Sequence, residues 1–151
     1  NLILCAPHDR LVLASSEGYL LCLETNSLPY SLEECIRLAS TDHLVSAFTL
    51  RPDQPILIMT QIGKLLQQTP DALACTASLK TKGSPVFSSQ RRAQGVRVVA
   101  AAAAHENDWG LALHQDGRLT VHGVREMMGA GRIPTDDGLL GFTFFSVQGA
   151  A

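Results

Sequence analysis

Short apolar runs alternate with polar turns along the chain, and three of these patterns share one arrangement around a glycine. An apolar strand is followed by two or three mostly polar residues, a glycine, and a leucine two positions later that begins a second apolar run. Glycine is favoured where a hairpin turn needs a positive φ. The pattern therefore predicts three β-hairpins turning at Gly18, Gly63 and Gly117. Their first strands are Leu11–Ala14, Ile56–Met59 and Leu111–Leu113, and their second strands contain Leu20, Leu65 and Leu119.

Other apolar runs supply a third strand beside each hairpin. Leu44–Phe48 and Val96–Ala100 precede the second and third hairpins, Leu139–Phe145 follows the third, and Leu2–Cys5 precedes the first. The turn glycines are 45 and 54 residues apart, counted from 18 to 63 and from 63 to 117. This period is typical of a propeller blade of about four strands. We therefore predict one all-β repeat domain over 1–151, with approximate units 1–41, 42–95 and 96–151.

Three segments fit the repeat less directly. Leu32–Ala39 has Ser31 before it and Glu34 three residues later, which favours a helical turn. Alanine favours helix, but we expect Ala100–Ala104 to continue a strand because of its position in the repeat. Ala72–Ser89 contains Gly, Pro and many polar residues, so we expect an exposed connection.

Composition describes a globular chain without membrane spans or metal motifs. Of the 151 residues, 46% are hydrophobic and 17% charged, a balance that supports a buried core. The longest apolar run, Val96–Ala104, is about half the roughly 20 residues of a membrane helix. The four cysteines form no C-x-x-C pair and no zinc-like spacing with histidine, so we expect small buried thiols in a reducing cytoplasm and no cofactor. Asn1 stands where an initiator Met is usual, so we expect a processed chain or part of a longer protein.

Charge is distributed unevenly although the net charge is only −2. No acidic residue lies between Asp71 and Glu106. This window holds five cations, which we name the basic island: Lys80, Lys82, Arg91, Arg92 and Arg97. Lys64 and Arg118 directly follow two of the turn glycines, where the edge of a blade would present them outward.

The repeats resemble those in the C-terminal domains of the DNA gyrase and topoisomerase IV A subunits. The similarity lies in an apolar strand, a glycine, a cation or tyrosine, and an apolar strand ending in Thr-Pro, here 56–65 and Thr69-Pro70. It also lies in an Arg-x-x-Gly-Val-Arg opening, here Arg92 to Arg97. The resemblance implies a β-pinwheel, and about three blades imply half a ring. It further implies that cleavage chemistry belongs to another domain.

A glutamine and two arginines match the start of a gyrase sequence box. That box reads Gln-Arg-Arg-Gly-Gly-Lys-Gly, and Gln90, Arg91 and Arg92 fill its first three places. Ala93 and Gln94 replace the two glycines that a tight basic loop would need. In the resembled family the box serves DNA wrapping.

These observations predict a non-catalytic module that binds duplex DNA weakly and without sequence preference, in the cytoplasm or on the nucleoid. Cations that neutralise phosphates need no base contacts. The predicted DNA-binding residues are Lys64, Lys80, Lys82, Gln90, Arg91, Arg92, Arg97 and Arg118. No nucleophile, phosphate-binding or metalloprotease motif is present, and we expect no small-molecule substrate.

The alternative is a protein-interaction or oligomerisation module that does not bind DNA. Three blades leave two open faces, which proteins normally cover, so we expect self-association or additional blades. Three further sites have simple structural interpretations. The Asp136-Asp137 pair before Gly138 indicates a turn, the cluster of His105, Glu106 and Asp108 indicates a solvated loop more than a metal site, and Trp109 is expected to anchor the packing of one blade.

Overall fold

Three small β-sheets, stacked face to face, make up the domain. The computed structural model describes residues 3–31 and 33–147. Sheet 1 contains β1 (Arg10–Ser15), β2 (Tyr19–Glu24), β3 (Leu44–Thr49) and the two-residue strands β6 (Cys75–Thr76) and β7 (Ser84–Pro85). Sheet 2 contains β4 (Ile56–Thr60), β5 (Leu65–Gln68) and β8 (Val98–Ala103). Sheet 3 contains β9 (Trp109–His114), β10 (Leu119–Gly123) and β11 (Leu139–Phe145).

Helices are few and short. They are two α-helices, α1 (Ser89–Ala93) and α2 (Val124–Ala130), and two 3-10 turns, Thr25–Ser27 and Pro70–Ala72. No helix in the described part of the chain is long and apolar enough to cross a membrane. The predicted all-β class is confirmed, and the three sheets form an open stack rather than a closed ring.

All three predicted hairpins are confirmed. Gly18, Gly63 and Gly117 have φ values of +85°, +79° and +87°, which only glycine adopts easily. In each turn the glycine N–H donates to the carbonyl three residues earlier, at 3.0–3.1 Å. At Gly18 a second constraint applies, because an added Cβ would lie 2.6 Å from the Phe87 ring.

The apolar runs predicted as third strands do form β3, β8 and β11, but β3 and β8 join the sheets of the hairpins before them rather than after them. Each pairs antiparallel with the first strand of a hairpin. Two of them also bond to the turn of the preceding sheet: Val98 N donates to Ser16 O at 2.8 Å, and Leu139 N donates to Gln61 O at 2.7 Å. The alanine run of β8 is strand, as its repeat position predicted.

The strands alternate so that each sheet has a forward face toward the next sheet and a rear face toward the previous one. Between sheets 1 and 2, forward residues such as Val12 and Leu20 pack on rear residues such as Ile56 and Ile58. Between sheets 2 and 3, Leu57, Met59 and Leu65 pack against a second group, which contains Ala112, Val124, Met127, Ile133 and Leu139. Removing these apolar surfaces from water contributes about 25 cal/mol per Å².

The two ends of the stack differ. The rear face of sheet 1, including Leu13, Leu21 and Leu23, is covered by Leu28, Cys35, Ile36 and Leu79. The forward face of sheet 3 has no such cover among the described residues: Leu119 is 64% exposed, Val121 57% and Trp109 41%. The prediction that Trp109 anchors a blade is therefore wrong, because strand alternation places its ring on this uncovered face.

Three local predictions are corrected. Residues 3–5 form no strand; Leu2 lies outside the described residues. Residues 33–39 form no helical turn. They lie extended over sheet 1, and Ile36 forms an isolated β-bridge with Thr81. Leu32 is also outside the described residues. The connection 72–89 is not wholly exposed, because β6 and β7 pair with β2, and Phe87 is buried beneath Gly18.

Two cysteines also differ from prediction. β6 pairs in parallel with β2 so that Cys22 lies opposite Cys75, with 4.5 Å between their Cα atoms, and the two form a disulfide. Sequence spacing gave no sign of this pairing, which depends on a strand contributed from 53 residues further along the chain. Cys5 and Cys35 remain thiols, and Cys5 is exposed rather than buried.

Candidate nucleic-acid interface

The Gln90-Arg91-Arg92 segment forms the single turn of α1 rather than a glycine-rich loop. Ser88 caps the helix, its side chain accepting a hydrogen bond from Arg91 N at 3.3 Å. Gly95, with φ of +87°, donates its N–H to Arg92 O and turns the chain toward β8. Alanine and glutamine in place of the box glycines are compatible with helix, whereas glycine disfavours it. Gln90 and Arg91 consequently project from an ordered turn and are exposed.

Arg92 is held against the first hairpin. Its Nε donates to the carbonyl of Glu17 at 2.8 Å and its Nη2 to that of Phe87 at 3.3 Å. The guanidinium carbon lies 4.5 Å from the centre of the Tyr19 ring, within cation–π range. Arg92 is therefore half-buried, with its donors committed to two backbone carbonyls.

Lys82 lies over the same aromatic ring. Its Nζ is 4.5 Å from the centre of Tyr19. Tyr19 follows Gly18 directly, the position that Lys64 and Arg118 occupy after the other two turn glycines. The ring thus joins a lysine and an arginine into one positively charged group, which sequence reasoning on the cations alone did not reveal.

Arg91 and Lys64 line one cleft. The cleft has a volume of about 210 Å³, and its other lining residues include Phe87, Gln94 and Val96. Lys64 also pairs as an isolated antiparallel bridge with Arg132, and these two residues line a second, more open depression. Arg132 follows α2 and was missed, because it lies outside the basic island and only the packing of α2 against β5 brings it near.

Contacts therefore connect five cations into a continuous surface, which we name the basic surface: Lys82, Arg92, Arg91, Lys64 and Arg132. Within residues 3–31 and 33–147, none of the five has a carboxylate within 4.0 Å. Unpaired charges of one sign produce a potential that attracts anions.

Arg97 lies beside this surface but is turned into the fold. Its Nη1 donates to the carbonyls of Arg92 at 2.9 Å and Val96 at 2.8 Å. Its side chain lines a separate cleft with Ser16, His43 and Leu140. Arg97 is half-buried and positions the segment that carries α1.

Two of the predicted site residues lie apart from the basic surface and are paired with acids. Lys80 Nζ is 4.0 Å from a carboxylate oxygen of Glu33. Arg118 Nε is 2.6 Å from Asp116 Oδ2, and this hydrogen bond raises the pKa of Arg118. The N–H of Arg118 and then its side chain lower the pKa of Asp116. Asp136 and Asp137 are also near Arg118, so its surroundings are acidic.

A half-buried carboxylate, that of Asp42, supports the hairpin that holds Arg92. Asp42 Oδ1 accepts hydrogen bonds from Ser16 Oγ at 2.8 Å and from the N–H groups of Glu17 and His43, both at 2.9 Å. Burial raises the pKa of Asp42, but the hydrogen bonds from Ser15, Glu17, Ser16 and His43 outweigh it and lower the pKa. The charged carboxylate therefore fixes the backbone whose Glu17 carbonyl binds Arg92.

The loop of His105, Glu106 and Asp108 is a hydrogen-bonded turn. Asp108 accepts from His105 N and from Ser146 Oγ, both at 2.7 Å, and Glu106 pairs with Arg125 at 2.8 Å. No group of three or more His, Cys, Asp or Glu side chains suited to a metal was found in the part of the chain that the structure describes.

Comparison with known proteins identifies the fold. The C-terminal domain of DNA topoisomerase IV superimposes with a TM-score of 0.71 at 13% identity, over 91% of this chain and 47% of that one. The chain has the β-pinwheel fold of these domains. The C-terminal domain of E. coli ParC gives 0.67 at 18% identity over 95% of this chain, and that of DNA gyrase A gives 0.63 at 17% over 78%.

The pinwheel likeness is one of fold, at sequence identities below a fifth. This chain spans 47%, 63% and 39% of the three domains. No family model matches the sequence, and no curated protein matches it. The predicted resemblance is confirmed at the level of fold, and three sheets correspond to about half of the longer of these domains.

Proposed function

We propose that the domain binds duplex DNA weakly, without sequence preference and without catalysis of its own, as part of a gyrase-like protein in the cytoplasm. The observation that carries this proposal is the basic surface of five adjoining cations that have no carboxylate partner among the described residues. Each cation that neutralises a phosphate releases counterions, which favours binding whatever the base sequence. The pinwheel fold, shared with C-terminal domains of DNA topoisomerases, supports the same function.

The contacts of each cation indicate how much it can contribute to the DNA affinity. Arg91, Lys64 and Arg132 are exposed and free to reach phosphates, and Lys82 is held at the edge of the surface by Tyr19. Arg92 and Arg97 contribute charge but use their donors on backbone carbonyls. Lys80 and Arg118 would have to leave an acidic partner to contact DNA, so we assign them little of the affinity.

The test compares two double variants that remove the same charge. Lys64→Ala with Arg91→Ala removes two unpaired cations from the basic surface, whereas Lys80→Ala with Arg118→Ala removes two paired ones. Anisotropy of a fluorescent duplex, titrated at several salt concentrations, gives the slope of log affinity against log salt. We expect the first variant to reduce that slope by roughly two units, at about 0.9 per phosphate contact, and the second to change it by less than half a unit.

The proposal fails if the unmodified protein does not bind at about 10 µM in low salt, where non-specific DNA binders bind tightly. It also fails if the two double variants weaken binding equally, because the effect would then be one of net charge. A second duplex of different sequence should bind with the same affinity, since contacts to phosphates carry no sequence information.

A protein-interaction module is the second proposal, favoured by the uncovered forward face of sheet 3. The two functions use different surfaces. Lys64 and Arg91 line a cleft beside α1, whereas Leu119 and Val121 lie on the outer side of β10.

A further inference from the structure

We propose that the forward face of sheet 3 binds the same face of a second copy of this chain, forming a two-fold dimer. This inference goes beyond DNA binding and does not depend on it. The face is formed by alternate residues of the paired strands β9, β10 and β11. Its six large apolar members are Trp109, Leu111, Leu113, Leu119, Val121 and Phe145.

The equivalent positions in the other two sheets are buried. Counted from the turn glycines, Leu111, Leu113 and Leu119 correspond to Leu57, Met59 and Leu65 in sheet 2 and to Val12, Ala14 and Leu20 in sheet 1. All six of those side chains are at most 4% exposed and pack on the next sheet. The repeat has thus built a packing face at sheet 3 for which the described residues provide no partner.

The exposed area is sufficient for a weak specific dimer. Leu119, Val121 and Trp109 are 64%, 57% and 41% exposed, and Leu113 and Phe145 are 37% and 36% exposed. Side chains of this size give an apolar patch on the order of 500 Å², at the upper end of those on monomers. Two such patches bury about 1,000 Å², near the lower limit for a specific interface.

A head-to-tail arrangement of copies is disfavoured by the other end of the stack. Such an arrangement would place the forward face of sheet 3 on the rear face of sheet 1 in the next copy. That rear face is already covered by Leu28, Cys35, Ile36 and Leu79. Among the described residues of a second copy, the sheet face of this type left open is the same one, which favours face-to-face pairing.

The chemistry of the face is self-complementary. The positions that share it on all three strands carry no charge, and Thr143 is the only polar side chain among them. Charges lie at its borders: the pairs Asp116–Arg118 and Glu106–Arg125, and the carboxylates of Glu126 beside Trp109 and of Asp136 and Asp137 near Arg118. Two copies can therefore meet without burying an unpaired charge, which a two-fold interface requires.

The protein provides its own reporter of this contact. Trp109 is the only tryptophan, and it lies on the proposed interface. Sedimentation equilibrium should show a reversible monomer–dimer equilibrium with a Kd in the micromolar range, and Trp109 emission should shift to shorter wavelength as concentration rises through that Kd.

A matched pair of variants locates the interface. Val121→Lys should raise the dimer Kd more than tenfold, because each copy would bury an unpaired ammonium. Leu140→Lys is the control: Leu140 is also 57% exposed and belongs to sheet 3, but it lines the cleft beside Arg97 and His43. It should leave the Kd unchanged, and circular dichroism checks that both variants are folded.

Three results would overturn the proposal. The first is a protein that stays monomeric, with unchanged Trp109 emission, up to about 100 µM, well above a micromolar Kd. The second is a dimer that Val121→Lys and Leu140→Lys weaken equally. The third is a series of higher oligomers, which indicates head-to-tail contacts. None of these measurements uses DNA, so their failure is separate from failure of the proposed function.

Discussion

Individual cations in this domain differ in role even when they are adjacent in sequence. Arg91 and Arg92 share one helical turn, yet Arg91 is exposed while Arg92 makes two hydrogen bonds to carbonyls and lies on the Tyr19 ring. Charge alone would treat the two arginines as equivalent, whereas contacts make one structural.

We predict that Arg92→Ala lowers the free energy of unfolding by about 2 kcal/mol, because it leaves two carbonyls without their charged donor and removes a cation–π contact. Arg91→Ala should change it by less than about 0.5 kcal/mol. Urea denaturation of both variants measures the difference. Equal effects, or none from Arg92→Ala, would contradict the assignment.

The Arg92→Lys variant separates charge from structure. It keeps the positive charge, but a single ammonium does not reproduce the planar guanidinium that reaches both carbonyls. We expect it to retain most of the DNA affinity while losing most of the stability that Arg92→Ala loses. The same urea and anisotropy measurements apply.

At the scale of elements, the third hairpin contains a hydrogen-bonded group on the face toward the core. Thr120 Oγ1 lies 2.7 Å from Nε2 of both His114 and His122, and His114 Nδ1 lies 3.3 Å from Thr135 Oγ1. One hydroxyl proton can serve only one of the two rings as donor. If both rings were protonated, the hydroxyl proton would lose its acceptor and two positive charges would meet.

We predict that this hairpin makes the domain less stable in mild acid. Burial and then the nearby His114 lower the pKa of His122, against the opposing charge of Glu126. The folded-state pKa of His122 lies below the ordinary value of 6.5, so folding favours the neutral ring. The stability that this preference gives the fold is therefore fully present above pH 6.5 and is lost as the pH falls toward the folded-state pKa.

The urea midpoint should therefore be lower at about pH 5.5 than at about pH 7.5. His122→Gln should reduce this difference, whereas His8→Gln, at an exposed turn, should preserve it. A difference that is the same in all three proteins would exclude His122 as the cause.

The positions of strands and turns were predictable where the three sequence repeats follow the same pattern. The three glycine turns, β1, β4, β9 and the third strands followed from apolar alternation, because burial imposes that period on every sheet. The cover of sheet 1 by residues 33–39 was not predictable, since a segment that packs along a sheet without repeat partners leaves no period. The disulfide and the place of Arg132 were missed because both depend on contacts between distant segments.

The candidate site was predictable in part. Two cations of the basic island, Lys82 and Arg92, lie over the same Tyr19 ring. The basic island could not show that Glu33 neutralises Lys80 or that Arg92 is committed to backbone carbonyls, because acids and carbonyls from other parts of the chain determine these contacts. Whether the surface binds DNA stays a prediction.

At the scale of the whole molecule, the disulfide joins β2 and β6, two strands of sheet 1 that are separated in sequence by the second hairpin. We predict that protein denatured without reductant exposes two reactive thiols, Cys5 and Cys35, and that reduction raises the number to four. Maleimide labelling followed by mass spectrometry counts them. Four labels before reduction would show that Cys22 and Cys75 are separate thiols.

Closing a loop of 53 residues with this disulfide should stabilise the fold by about 4 kcal/mol on the chain-entropy account. Cys75→Ser should remove this stabilisation, and Cys5→Ser is the control. Urea midpoints measured with and without reductant should differ for the Cys5→Ser protein and coincide for Cys75→Ser.

The strand order of sheet 1 has a consequence for how the chain is made. β2 ends at Glu24, but its outer partners β6 and β7 begin only at Cys75 and Ser84, 51 and 60 positions later by the numbering. At ~5–20 residues per second, a ribosome takes roughly 3–12 seconds to add those residues. Until β6 and β7 are made, the growing chain carries an edge of β2 without its partners, and this edge can pair with other nascent chains. The second hairpin, β4–β5, is therefore synthesised before the first sheet is complete, whereas the second sheet is completed later still, by β8.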